Sequence, residues 1–152
     1  MKGASPMATH PSKALLRINH LLAETDAVYH QMFSRMGLAD STMHILYTLL
    51  NAGGQCPLKV IRQLTGLPKQ TLHSAISKLE EEGHILLLTE GRAKSARLTE
   101  SGLVLAEATA GKIIAAEDRI YAGWTPAELA AYLTLTERYL ADLRRECDSL
   151  QE

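Results

Sequence analysis

Lys69-Gln70-Thr71-Leu72-His73-Ser74-Ala75-Ile76-Ser77-Lys78-Leu79 is the stretch whose reading decides the fold. Leu72, Ala75, Ile76 and Leu79 fall at i, i+3, i+4 and i+7, which makes one apolar stripe along a helix. At about 100° per residue, Gln70, Ser74 and Ser77 lie on the opposite side, with His73 and Lys78 flanking them. That side carries amide, hydroxyl and imidazole groups and no large apolar residue. The helix stops at Glu82-Gly83. Upstream, Pro57 to Leu64 reads as a shorter helix that begins at Pro57, ended by the break Thr65-Gly66-Leu67-Pro68, with Ile61 and Leu64 facing inward. Downstream, Ile85 to Thr89 is a β-type run. The polar tip Glu90-Gly91-Arg92-Ala93-Lys94-Ser95 follows, then a second short run, Ala96 to Thr99. Helix, turn, helix, hairpin is the order of a winged helix-turn-helix, a shape suited to the DNA major groove.

The polar side of the 69–79 helix supplies base-edge candidates. Gln bonds adenine in a bidentate way, and Ser donates to or accepts from several base edges. Gln70, His73, Ser74 and Ser77 are the residues so placed. Lys69, Lys78 and Arg62 are placed to hold phosphates. Arg92 at the hairpin tip suits a narrow minor groove, where negative potential is high, with Lys94 and Arg97 on the backbone. An ordinary amphipathic surface helix and a solvated hairpin tip would show the same periodicity and charge; it is the order of the elements that favours the nucleic-acid reading.

These residues resemble the MarR-type (multiple antibiotic resistance regulator) transcription regulators. The features that carry the likeness are Leu79-Glu80-Glu81-Glu82-Gly83 closing the second helix, the strand, and the Arg-bearing wing. The strongest is Leu98-Thr99-Glu100-Ser101-Gly102, which is similar to the family's Leu-Thr-x-x-Gly leaving the wing. The likeness runs over roughly residues 12 to 149. It departs from the family pattern at Glu80 to Glu82, where a base often precedes the glycine, and at Ser95, where a second wing Arg often stands. It implies a mainly α fold with a small β-hairpin wing, flanked by N- and C-terminal dimerisation helices. It also implies a homodimer on a pseudo-palindromic operator, a ligand-responsive repressor, and no enzymatic activity.

Composition agrees with one globular domain of 152 residues, 46% hydrophobic and 22% charged. The expected division is a disordered tail at 1–10 and a single domain at 11–152. Within that domain the DNA-reading part spans about 40–99, and the dimerisation helices about 12–36 and 100–150. The net charge of −1 argues against a generic polyanion binder. Between Lys59 and Arg97, however, seven bases and four acids leave +3, while the other nine bases and thirteen acids leave −4. Positive charge is concentrated where the shape argument wants it. The two cysteines, Cys56 and Cys147, suggest a reducing compartment and form no metal framework alone. No apolar run is long enough to span a membrane and the start lacks a signal core, so a cytoplasmic location and no membrane partner are expected.

Pro11-Ser12 opens a long helix marked by Leu15, Ile18, Leu22, Met32, Phe33 and Met36 and ended by Gly37. Asp40-Ser41 offers an N-cap for a second helix to Asn51, with Met43, Leu46, Tyr47 and Leu50 as its stripe. After the wing, Thr99 is read as the cap of one helix running through Ile120. Thr125-Pro126-Ala127-Glu128 reads as a capping box opening a last helix with a wide apolar surface, Leu129 to Leu143. The family resemblance places an aromatic or lipophilic effector between the dimer helices and the reading unit, where Tyr29, Met32, Phe33, His44 and Tyr47 are candidate lining residues. The same residues at helical spacing also serve as ordinary core, and both readings stay open. His20, His30 and His44 do not share a helical face at metal-ligand spacing, so neither metal nor cofactor is expected. Cys56 before Pro57 reads as a thiol at a helix start, where the dipole would lower its pKa. Glu80 to Glu82 motivate a second reading, a ligand-binding or protein-interaction module of the same fold with weak or lost DNA binding. No phosphate loop, nucleophile elbow or paired-carboxylate motif appears.

Overall fold

The computed structural model describes residues 12–150, so the expected tail at 1–10 lies outside the described residues. Helix α1, Lys13–Arg35, starts where the Ser12 hydroxyl accepts from the Leu15 amide at 3.1 Å. It ends at Met36 and Gly37, the latter at φ +72°. Helix α2, Asp40–Asn51, begins one residue earlier than the expected Asp40-Ser41 cap, after Ala39, and has no side-chain cap. Asp40 is turned elsewhere: its two carboxylate oxygens lie 3.0 and 2.9 Å from Nδ1 of His30, tying α2 to α1. Met43, Ile45, Leu46 and Leu49 of α2 are fully buried, while Tyr47 and Leu50 of the expected stripe are half-buried. The single stripe is too narrow a reading, because α2 is packed at once by the helices Leu58–Thr65, Lys69–Glu81 and Glu100–Ala108 and by the sheet.

A third strand, β1 at Gln55–Pro57, was not expected. It pairs antiparallel with the strand Ala93–Leu98, Cys56 opposite Ala96 and Pro57 opposite Ser95. Three residues that follow two glycines and end in proline are too few to show alternation. Pro57 therefore caps α3, Leu58–Thr65, rather than opening it. Gly66 ends α3 in the left-handed region. Ile61 is buried as expected, but Leu64 is 70% exposed. The inward stripe of α3 is Leu58, Ile61 and Thr65, and Leu64 lies roughly a quarter turn away from it.

Helix α4, Lys69–Glu81, buries the four residues read from its period: Leu72, Ala75, Ile76 and Leu79. Strands β2, Ile85–Glu90, and β3, Ala93–Leu98, form the wing, and the sheet order is β1-β3-β2. Glu90 pairs with Ala93, so the loop is only Gly91-Arg92. The expected six-residue tip is shorter because Gly91, at φ +61°, permits a two-residue turn that matches the twist of the strands. Lys94 and Ser95 are consequently strand residues.

The wing is fixed to α4 by a knot of backbone contacts. The His84 amide donates to Leu79 O at 2.9 Å, closing the end of α4. The Thr99 amide donates back to His84 O at 3.0 Å. The Thr99 hydroxyl donates to Gly83 O at 2.6 Å and accepts from the Gly102 amide at 3.1 Å, which makes it the cap of α5, Glu100–Ala108. Ser101 donates to the same Gly83 carbonyl at 3.1 Å. Gly102 passes so close to His84 that a Cβ there would run into the His84 carbonyl.

The expected single helix after the wing is two. It breaks at Thr109, at φ −120° and ψ −87°, whose buried hydroxyl donates to Leu105 O at 2.7 Å. A threonine that bonds the preceding turn bends a helix without disturbing its apolar period. Helix α6 is Ala110–Ala122. The chain divides into two compact units, Met1–Ala110 and Gly111–Glu152. In the second, Thr125 and Glu128 form the expected reciprocal capping box at the start of α7, Pro126–Ser149. Trp124 stands edge-on to both Tyr121 and Tyr132, at 5.1 and 5.4 Å. Among the described residues, no helix is long and apolar enough to cross a membrane.

Gly102→Ala should destabilise the first unit by more than about 2 kcal/mol, since the group met is backbone and cannot swing aside. Chemical denaturation compares it with Glu100→Ala, at an exposed neighbour, which should shift the midpoint far less.

Candidate nucleic-acid interface

Helix α4 presents the surface that its sequence implied. Lys69, Gln70, His73, Ser74 and Lys78 are exposed and Ser77 is half-buried, while the opposite stripe fills the core. One edge of this surface opens into a cleft of about 600 Å3 between α3, α4 and the wing. Arg62, Lys69, Gln70, His73, Ser77 and Lys94 all line it. The other edge opens into a shallower notch against the start of α2, lined by Gln70, Ser74 and Lys78 among others. Arg92 sits at the two-residue tip. Arg97 pairs with Leu86 and Gln55, on the opposite face of the sheet from Lys94, three positions away on the same strand. The ten candidates thus fall into two flanks of α4, a tip, and an outer sheet face.

The charge arrangement suits a polyanion. Among the described residues, Arg62, Lys69, Arg92, Lys94 and Arg97 pair with no carboxylate, so their charge is available to phosphates. Lys59, a member of the same basic run but not a site candidate from sequence, also lines the cleft and is likewise unpaired among the described residues. The acids Glu80 to Glu82 lie at the far end of α4. Glu82 stands 3.9 Å from Lys78 Nζ and 3.9 Å from His84 Nε2. The expected effector residues divide. Phe33 is buried in the core, with Tyr29 at 6.2 Å and His44 edge-on at 5.4 Å. His44 and Tyr47 also line a separate recess with Asn51 and Leu64.

A polar helix face flanked by basic side chains from a preceding helix and a following hairpin defines a winged helix-turn-helix. The MarR family's sequence model matches residues 36–92, from the end of α1 to the wing tip. Solved structures extend the likeness over the chain. A MarR family regulator from Neisseria meningitidis matches at 21% identity and TM-score 0.76, covering 93% of this chain and 100% of that one. The PcaV transcriptional regulator from Streptomyces coelicolor, solved with its natural ligand, matches at 22% identity and TM-score 0.58, covering 91% and 96%. BpsR of Bordetella bronchiseptica, whose DNA binding is regulated by 6-hydroxynicotinic acid, matches at 20% and 0.57, covering 81% and 98%. No curated protein matches the chain in sequence. The MarR resemblance read from the wing and its exit is therefore shown, and the fold is that of the MarR-type transcription regulators.

Cys56 corrects one expectation. It lies in β1, not at a helix start, and is 3% exposed. Burial pushes its thiol pKa up from 9.0, the opposite of the dipole effect expected for a helix start. Cys147 is exposed. At neutral pH a thiol reagent should modify Cys147 quickly and Cys56 only after denaturant is added; two fast equivalents would contradict the burial. Because the folded thiol holds its proton more tightly than the unfolded one, stability should begin to fall as pH rises through 9.0, and Cys56→Ala should flatten that decline.

Proposed function

We propose that this chain is a sequence-specific DNA-binding transcription regulator, a cytoplasmic, non-enzymatic repressor that acts as a homodimer on a pseudo-palindromic operator. The observation that carries the reading is the set of cations on α3, α4 and the wing, unpaired among the described residues except for Lys78, around one polar helix face. In this reading Gln70, His73, Ser74 and Ser77 meet base edges in the major groove. Lys69, Lys78 and Arg62 hold phosphates, Arg92 enters the minor groove, and Lys94 and Arg97 follow the backbone. The acids Glu80 to Glu82 motivated the alternative of a module that has lost DNA binding. They stand at the end of α4 away from Lys69 and Gln70, and Glu82 is partly neutralised by Lys78, so they do not block the reading end.

The homodimer is supported by surface that one chain leaves bare. Phe33 is the sole buried residue of α1's 23, and α7 buries none of its 24. Leu15, Ile18 and Leu22 on α1 and Leu129, Leu133 and Leu140 on α7 are all exposed. Apolar helix faces of this extent mark partner surfaces, and a two-fold pair sets two reading heads about one helical turn, roughly 10 base pairs, apart. The effector reading draws on BpsR and its aromatic acid. A small aromatic or lipophilic ligand near Tyr29, Met32, Phe33, His44 and Tyr47 would shift the population of head spacings and weaken operator binding.

Light scattering should give twice the 16.7 kDa chain mass. Arg92→Ala should weaken binding to the gene's own upstream duplex and lower the salt slope by about one. Gln70→Ala should relax base preference by about 1–3 kcal/mol at one position. A monomer with an unchanged slope in Arg92→Ala would overturn this reading.

A further inference from the structure

The second unit holds a cluster of rings that the DNA-binding reading does not use. Tyr121, Trp124 and Tyr132 meet at the turn between α6 and α7. The two tyrosine rings stand at 75° and 83° to the indole plane. The cluster is not a core, because its members keep 39%, 36% and 50% of their surface exposed. It is not part of the bare leucine surface either. At about 100° per residue, Tyr132 lies roughly 80° around α7 from the stripe of Leu129, Leu133 and Leu140. The backbone sets the rings in place. The Trp124 amide donates to Tyr121 O at 3.0 Å, and the capping box of Thr125 and Glu128 fixes the entry to α7. Rings held this way lose little freedom when a ligand arrives.

The charge beside the cluster has one sign. Residues three and four apart are neighbours on a helix. At those spacings Tyr121 has Glu117 and Asp118, Tyr132 has Glu128, and neither has a lysine or arginine. The faces of aromatic rings are negative as well. Ring faces and carboxylates together attract a cation and repel a phosphate or a carboxylic acid. Oε2 of Glu128 already accepts the Thr125 amide at 2.8 Å, so this carboxylate supplies field more than a directed bond. A bulky, weakly hydrated cation without N–H groups suits such a place better than a lysine head, which is compact and strongly hydrated. We infer that Tyr121, Trp124 and Tyr132 form a site for a quaternary ammonium ion, with the indole as floor, the tyrosine rings as walls and Glu128 supplying negative charge. The site lies wholly within the second unit, and it stands or falls independently of the DNA-binding reading.

Trp124 is the one tryptophan of the chain, so its fluorescence reports on the site directly. Choline chloride, titrated into the full-length protein at constant ionic strength, should change Trp124 emission saturably at roughly millimolar concentration. Its uncharged isostere, 3,3-dimethylbutan-1-ol, should not. Tyr132→Leu should raise the choline Kd about tenfold, whereas Tyr132→Phe, which keeps the ring face, should leave it within about twofold. Glu128→Gln keeps an acceptor for the Thr125 amide and removes the charge, and should raise the Kd about threefold. An equal response to the alcohol would make the cluster a plain apolar patch and overturn the cation assignment. A Kd that Tyr132→Leu leaves unchanged, or emission that does not saturate, would overturn the site. Emission that changes on dilution of the protein alone and ignores choline would mean that a second copy covers the rings, and would overturn the small-ion assignment.

Discussion

The close approach of the Gly102 backbone to the His84 carbonyl governs how the reading surface is presented. A helix and a hairpin joined by a short turn have no intrinsic reason to hold one angle. Here the Gly83 carbonyl receives two hydroxyls, from Thr99 and Ser101, and the His84 carbonyl receives the Thr99 amide. Both ends of the hairpin are thus tied to the end of α4. The Leu98 amide adds a bond to Gly54 O at 2.8 Å, which fixes the loop before β1 to the same place. The Leu-Thr-x-x-Gly pattern has a physical content: a threonine that caps one helix and holds the end of another, and a glycine without the Cβ that would force them apart.

Given that frame, charge does the rest. A chain with a net charge of −1 has little general attraction for nucleic acid. Its useful cations are those that α3, α4 and the wing leave unpaired among the described residues, whereas Glu82 at the end of α4 lies within 3.9 Å of Lys78 and of His84. The proposed DNA binding would lean on shape and on hydrogen bonds from a rigid helix surface, with salt dependence limited to a few phosphates.

The parts of the fold that could be read from the sequence were those carried by period and by cap chemistry. The α4 stripe, the Thr125 box, the Gly37 and Gly66 stops and the role of Thr99 each depend on residues within one turn of one another. What escaped depended on tertiary partners. Strand β1 exists because β3 offers it an edge, Asp40 fails to cap α2 because His30 claims it, and Leu64 turns outward because Ile61 takes the core. The Thr109 break hides in an unbroken apolar pattern. The burial of Cys56, which inverts its expected acidity, follows from the same unseen strand. Of the candidate surface, the exposure of the α4 flanks and of the wing cations could be read from residue type and order.

Amide hydrogen exchange across the first unit tests the governing constraint most directly. The amides of His84, Thr99 and Gly102 should exchange as slowly as those of Ile76 and Leu79 in α4, opening only with the unit as a whole, while the Gly91 and Arg92 tip exchanges quickly. Exchange of His84, Thr99 and Gly102 at the rate of the tip would mean that the wing hangs free of α4, and the account of a fixed reading surface would be contradicted.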